Sequence, residues 1–296
     1  MRVTNSMQSL QLLKNLRNNN SQIHSWENKL ATGQRIHRPG DDPVGIGYLM
    51  RYNSEIDRSA EFLENARTGL GYLKTMDEMM LQSSDVLKRA RVLVQQASTG
   101  TTPSDAREHI AAEIKQLKEQ LVMIGNSSFA GRFLFNGQKT DVPPYTNANA
   151  ANETTDKGIY YLNVSASVSV PVSITGELIF GAAGADDNVF KIFDDIADHL
   201  LDDDVDGLLD DMAKIDMLGD RINSTWAEIG ARTNRFELVE SRILDNIISL
   251  KDLRSKVSDV DMAEAIIELQ QKENVLQASL AVGARVMQVS LIDYLR

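Results

Sequence analysis

The chain contains no cysteine. Disulfides, thiolate zinc sites, iron–sulfur clusters and thiol catalysis are excluded with it. Histidine is almost as scarce. His24, His37, His109 and His199 lie far apart, and none has a second histidine at helical spacing, so a histidine-based metal site is not expected. Aromatic residues make up 6% of the chain and there are only 6 prolines, a poverty that suits long helices better than sandwiches or barrels. Unbroken apolar runs are missing too. The nearest to a membrane span, Val275–Ile292, is interrupted by Gln277, Arg285 and Gln288. Residues 1–30 lack the apolar core and small-residue cleavage site of a secretory signal, so export by a cleaved leader is not expected, while a leaderless route stays open. There is no glycine-rich phosphate loop, no G-x-S-x-G elbow and no H-E-x-x-H, so no enzyme activity and no cofactor are expected.

What charge there is leans acidic. The net charge of −11 argues against general binding to nucleic acid or insertion at an anionic membrane. Almost all of it is local, because residues 186–211 hold 11 aspartates and 1 lysine. Within that stretch, Asp202-x-Asp204-x-Asp206-Gly207 has the first half of a calcium loop, with Asp210 at the ninth position. The twelfth position is Ala213, where a bidentate glutamate is needed, so the segment reads as a solvated turn between helices and no metal is expected.

The positive signal is helical periodicity. Leu12, Leu16, Asn19, Ile23, Trp26 and Leu30 step by four and three, a seam that predicts a helix ending near Thr32-Gly33. Asp42-Pro43 then reads as an N-cap followed by proline at the first helical position. From there a seam running through Leu49, Ile56, Leu63, Leu70, Leu73, Met80, Leu87 and Val94 predicts one helix to Ala97, roughly 80 Å long. Thr102-Pro103 starts another, with Ile110, Ile114, Leu117, Leu121 and Ile124 on its stripe and Gly125 at its end. Residues 126–187 change character, and Ile159–Val164, Val168–Val172 and Ser173–Phe180 read as strands of a small insert. Helix returns at Asn188. A second very long helix is predicted from near Leu208, through Ile222, Trp226, Ile229, Phe236, Ile243, Ile247, Leu250 and Val257. The last segment continues through Met262, Ile266, Leu269, Leu276, Leu280 and Met287.

Two matching long seams at the two ends of a chain cannot stay exposed. The economical fold is mainly α, an antiparallel long-helix coiled-coil bundle made by both chain ends, with a small β-rich domain inserted at the tip. Five segments follow: terminal helix 1–40, rod 41–137, β-rich insert 138–187, rod 188–256 and terminal helix 257–296. The last of these is apolar over more than one face, with Val275, Leu276, Leu280, Val282 and Val286 all around it, so one partner helix cannot cover it. The bland reading is a helix buried in a compact domain. The preferred one is burial by neighbouring copies.

Leu30–Gly45, L-A-T-G-Q-R-I-H-R-P-G-D-D-P-V-G, resembles the signature of the flagellin superfamily. Three further stretches resemble the family in the right order: Ile229–Glu237, Ser258–Ala265 and Gln288–Leu295. The resemblance spans about residues 1–137 and 188–296. Pro39 and Pro43 around the Asp-Asp pair, and the ending L-I-D-Y-L-R, are similar to the hook-associated branch rather than to filament subunits. The resemblance implies a structural protein of the bacterial flagellum, exported without a cleaved signal through the type III apparatus with help from a cytoplasmic chaperone. It implies a ring of copies at the extracellular hook–filament junction, between hook-associated protein 1 and flagellin. It also implies that Leu12, Leu16, Ile23, Trp26, Leu30, Ile266, Leu269, Leu276, Leu280 and Met287 lie in the inner core of the tube. Arg35, Arg38, Asp41 and Asp42 then sit in the loop joining its two layers, fixing it by ion pairs and capping. A filament-forming flagellin is the neighbouring alternative, and a cytoplasmic coiled-coil scaffold that responds to calcium a more distant one.

Overall fold

In a computed structural model, backbone is described for residues 5–99 and 103–294 and side chains for 7–99 and 103–285. The chain divides into two compact units, one formed by residues 1–58 and 247–296 and the other by residues 59–246. Seven helices, α1 (Asn5–Thr32), α2 (Pro43–Ala97), α3 (Ser104–Gly125), α4 (Gly176–Phe180), α5 (Val189–Asp202), α6 (Val205–Ser258) and α7 (Met262–Tyr294), account for most of the described residues. Among these residues no helix is long and apolar enough to cross a membrane. Helix ends fall where residue types place them. Gly33 closes α1 with φ +70, a conformation other residues resist, and Pro43 opens α2. The expected cap at Thr102 lies outside the described residues, and Pro103 occupies the cap position of α3.

In the unit of residues 59–246, α2 and α6 run antiparallel. Partner numbers fall as numbers rise, from Ser59 with Asn246, through Arg67 with Glu240 at 2.9 Å and Trp226 with Asp77 at 2.5 Å, to Arg91 with Asp216 at 2.6 Å. Leu73, Met76, Met80, Val94, Ile229 and Phe236 are fully buried along this seam. Helix α5 packs on α3, and its start is held by Asn188, whose side-chain oxygen accepts from the Phe190 and Lys191 amides. An aromatic cluster joins the insert to α5. Phe135, Tyr145, Phe180 and Phe190 stack edge-on or tilted with centroids 4.9–5.9 Å apart.

The insert holds two hairpins. β1 (Ser128–Phe129) pairs with β2 (Arg132–Phe133) through Ala130 and Gly131, both at positive φ as a tight turn requires. The longer hairpin pairs β3 (Tyr161–Ser165) antiparallel with β4 (Val168–Pro171). It reaches back along the long helices, with the Asn65 amide donating to the Asn163 carbonyl at 3.0 Å. The third expected strand, Ser173–Phe180, is not one. Residues 176–180 form helix α4, because adjacent Ile179 and Phe180 are both fully buried, which a one-sided strand cannot arrange. Gly181 at φ +93 ends it.

In the unit of residues 1–58 and 247–296, α1 packs along α7. Asn19, the one polar residue in the α1 seam, is buried and donates to the Lys272 carbonyl at 3.3 Å. Among the described residues of this unit the buried apolar ones are few: Ile23, Ile36, Ile56, Ile247, Leu250 and Ala265.

Candidate assembly surface and helix joint

The loop after α1 is not a free turn. It lies antiparallel to the α6–α7 junction, with an isolated bridge between Gln34 and Asp259. The Arg35 amide donates to the Ser258 carbonyl at 2.6 Å, and the Val260 amide donates to the Gly33 carbonyl at 3.0 Å. The Arg35 guanidinium adds a 3.0 Å bond to the Val257 carbonyl and reaches Asp42 at 3.4 Å. That ion pair is half-exposed, so its energy is small and its backbone bond does more to set position.

Each helix leaving this joint starts on an aspartate. Asp42 Oδ1 accepts from the Gly45 amide at 2.8 Å and the Val44 amide at 3.2 Å, which caps α2. Asp261 Oδ1 accepts from the Ala263 and Glu264 amides and caps α7 in the same way. Asp41 folds the loop on itself, accepting from the His37 and Arg38 amides at 3.0 and 2.9 Å. Those bonds hold its carboxyl below the usual carboxylate range, mainly through His37 and then Arg38. Bonds from Ser255 and Ser258 do the same to Asp259. Gly45 lets the capping carboxylate sit close, because a Cβ there would come within 2.5 Å of Asp42 Oδ2 and 2.6 Å of Ile36 Cδ1 and displace one of those side chains. Among the described residues the Arg38 guanidinium makes no ion pair.

The terminal-helix residues divide by burial. Ile23 is buried, and Leu12, Leu16, Trp26, Leu30, Leu269 and Leu276 are half-buried. Leu12 lies in the α1–α7 contact, close enough to Gly283 that a Cβ there would come within 2.7 Å of Leu12 Cδ2. Ile266 and Leu280 are exposed, Leu280 by 54%. The side chain of Met287 lies outside the described residues. Leu10, Leu13, Ile267, Val275 and Val282 are exposed with them. Together they make an apolar surface on both helices that no residue of this chain covers among those described. Singly exposed apolar residues mean little, but so many on two paired helices make this pair a candidate interaction surface.

In the sequence, Ser258–Ala265 resembles the family stretch that opens the C-terminal helix, but nothing there shows that it pairs with the loop after α1. Ser258, Asp259, Val260 and Asp261 carry half of the joint's bonds. A local signal existed, since Asp261 followed by Glu264 has the spacing of a capping box. The acidic turn is also more ordered than its composition suggests. Asp203, at φ +60, pairs with Arg107, and Asp204 caps the Gly207 amide at 3.0 Å. Those carboxylates are committed to protein partners, and among the described residues no cluster of metal-ligating side chains occurs.

A long-helix protein with its chemistry spent on caps, seams and an uncovered apolar face has the makings of a structural subunit. Similarity to known proteins says of what. The pattern described as the bacterial flagellin N-terminal helical region matches residues 3–140, and that of the C-terminal helical region matches residues 212–295. The chain belongs to the bacterial flagellin family and is a structural component of the flagellum. It is 27% identical to a flagellin of Bacillus subtilis, over 97% of each chain. It is 23% identical to flagellar hook-associated protein 3 of Escherichia coli, over 94% of this chain and 95% of the other. Its fold matches a putative flagellar hook-associated protein from Vibrio parahaemolyticus with a TM-score of 0.66 at 20% identity, over 74% of this chain and all of that one.

Proposed function

We propose that this chain is a hook-associated protein 3, which forms the extracellular junction between hook-associated protein 1 and the flagellin filament. The observation that carries the assembly part of this reading is the uncovered apolar face of α1 and α7 around Leu13, Ile266, Ile267 and Leu280. Exposed apolar side chains on two paired helices are stabilised when further copies of the chain bury them, at about 25 cal/mol per Å² removed from water. The terminal helices then form the inner core of a ring, and the capped joint at Arg35, Asp41 and Asp42 sets how that core leads into the rest of the subunit. Arg38, whose guanidinium makes no ion pair among the described residues, is available to a neighbouring copy. Export follows the flagellar type III route, with a cytoplasmic chaperone covering the apolar face of α7 until assembly.

The hook–filament position is supported by the similarity to hook-associated protein 3 of Escherichia coli and by prolines 39 and 43 around the Asp-Asp pair. Deletion of the gene, with electron microscopy of the cells and a blot of the medium, tests it. Hooks without filaments, with flagellin released unpolymerised, is the expected result. The second reading, a filament-forming flagellin, is favoured by the similarity to the flagellin of Bacillus subtilis. It requires this protein to be the bulk filament subunit, and purified chain to extend filament seeds. Intact filaments in the deletion strain overturn both.

A further inference from the structure

The turn between α5 and α6 contains a buried charge that neither the caps nor the assembly surface uses. Asp211, in the second turn of α6, has a fully buried side chain. A buried carboxylate is costly unless paired on both oxygens. One oxygen accepts from Lys214 Nζ at 2.9 Å, and the other faces His199 Nδ1 at 2.7 Å. His199 belongs to the last turn of α5, so this contact ties the end of one helix to the start of the next. The imidazole also lies close to Gly207, where a Cβ would come within 3.0 Å of two ring carbons. Asp203 completes the joint in a left-handed cap, its amide donating to the His199 carbonyl.

We propose that His199 is a proton-operated clasp between α5 and α6, tight when the imidazole is charged and slack when it is neutral. The charges around it favour the charged form. From α6 come Asp211 and Lys214, and from the turn Asp204; Asp195 adds to them from α5 itself. Helix α3, which packs along α5, sends its cations Arg107 and Lys118 to Asp203 and Asp194. The hydrogen bond to Asp211 is the largest influence and raises the imidazole above its ordinary value of 6.5, against partial burial.

The sign follows from linkage. A group whose folded pKa is raised gives stability that is complete below the unfolded value and lost as pH rises through the folded value. Neutral His199 keeps a hydrogen bond to Asp211 but loses the charge pairing, so the turn slackens rather than opens. The clasp therefore works near neutrality, where no carboxylate or lysine titrates at its ordinary value.

Two measurements on the full chain test this. The first is the NMR titration of the His199 imidazole, assigned by loss of its signal in His199→Gln. The second is hydrogen exchange of the segment 204–211, corrected for the chemical rate, at about pH 5.5 and about pH 8.5. The expected midpoint lies above 6.5. Protection is expected to fall with rising pH by about tenfold for each unit of that elevation. In His199→Gln it should stay level across the same range. A midpoint at or below 6.5, or equal pH dependence in wild type and variant, overturns the proposal. If the variant does not fold, the wild-type midpoint and the wild-type exchange must still agree in size, and disagreement overturns it.

Discussion

The two units of this protein are built from the same kind of helix and solve burial in opposite ways. Residues 59–246 bury Phe135, Phe180, Phe190 and Phe236 completely, along with a continuous α2–α6 seam. Residues 1–58 and 247–296 bury only small patches and leave Leu10, Leu13, Ile267 and Leu280 at least half exposed. Hydrophobic periodicity is alike in both, so periodicity alone does not tell a finished core from an assembly surface. What separates them is whether a third layer of the same chain exists. In residues 59–246 the insert, α3 and α5 supply one. Among the described residues the paired terminal helices have none, and in the proposed function other copies take its place.

The comparison can be broken most severely at the aromatic cluster. Phe180→Ala should cost about 3–5 kcal/mol in the unit of residues 59–246, read from denaturant unfolding followed by a probe in that unit. Leu13→Ala, a similar truncation at a half-exposed site, should cost under about 0.5 kcal/mol in the free chain. Equal losses would mean that the terminal helices own a core after all. Tyr145 sharpens the contrast in the other direction. Its hydroxyl is buried without a hydrogen-bond partner, and burial pushes its phenol far above the ordinary value. Tyr145→Phe should therefore stabilise the insert by about 1 kcal/mol or more, visible as a raised midpoint with unchanged slope.

Smaller effects belong to the two interhelical joints. Asp42→Ala removes the α2 cap and should cost about 1 kcal/mol, with hydrogen exchange quickening first at Val44 and Gly45. The joint at Asp41 and Asp259 should also respond to acid. Both carboxyls are held below their ordinary 3.8 by hydrogen bonds. Their contribution is thus present above that value and lost as pH falls through the lowered one. Hydrogen exchange at low pH should show this joint loosening, first at the His37 and Arg38 amides that bond to Asp41, and unchanged protection there below the ordinary carboxylate range would contradict it.

Much of this was legible from residue types. Pro43, Gly33 and Asn188 mark helix ends because proline, glycine and asparagine have few other conformational roles there. The four family-like stretches resemble flagellin through residue types that need no fold to be recognised. The strand expected at Ser173–Phe180 failed because a short apolar run has no period of its own, and Gly176 with Gly181 punctuates a single helical turn. The acidic stretch read as solvated because aspartates are counted singly in a sequence. Their partners Arg107, Lys118 and Lys214 come from other turns and other helices, and only folding brings them together. The second strand of the joint stayed hidden for the same reason, since Gln34 and Asp259 are paired across almost the whole chain.

The account rests on the terminal helices being completed by other copies of the chain. The direct test is Leu280→Asp, expressed in cells lacking the native protein. Leu280 is 54% exposed, so the free variant should keep native helicity and native unfolding of residues 59–246. A charge carried into a buried contact should nevertheless abolish its incorporation into flagella. Export and incorporation at native levels would contradict the claim and leave the apolar face of α7 without a partner.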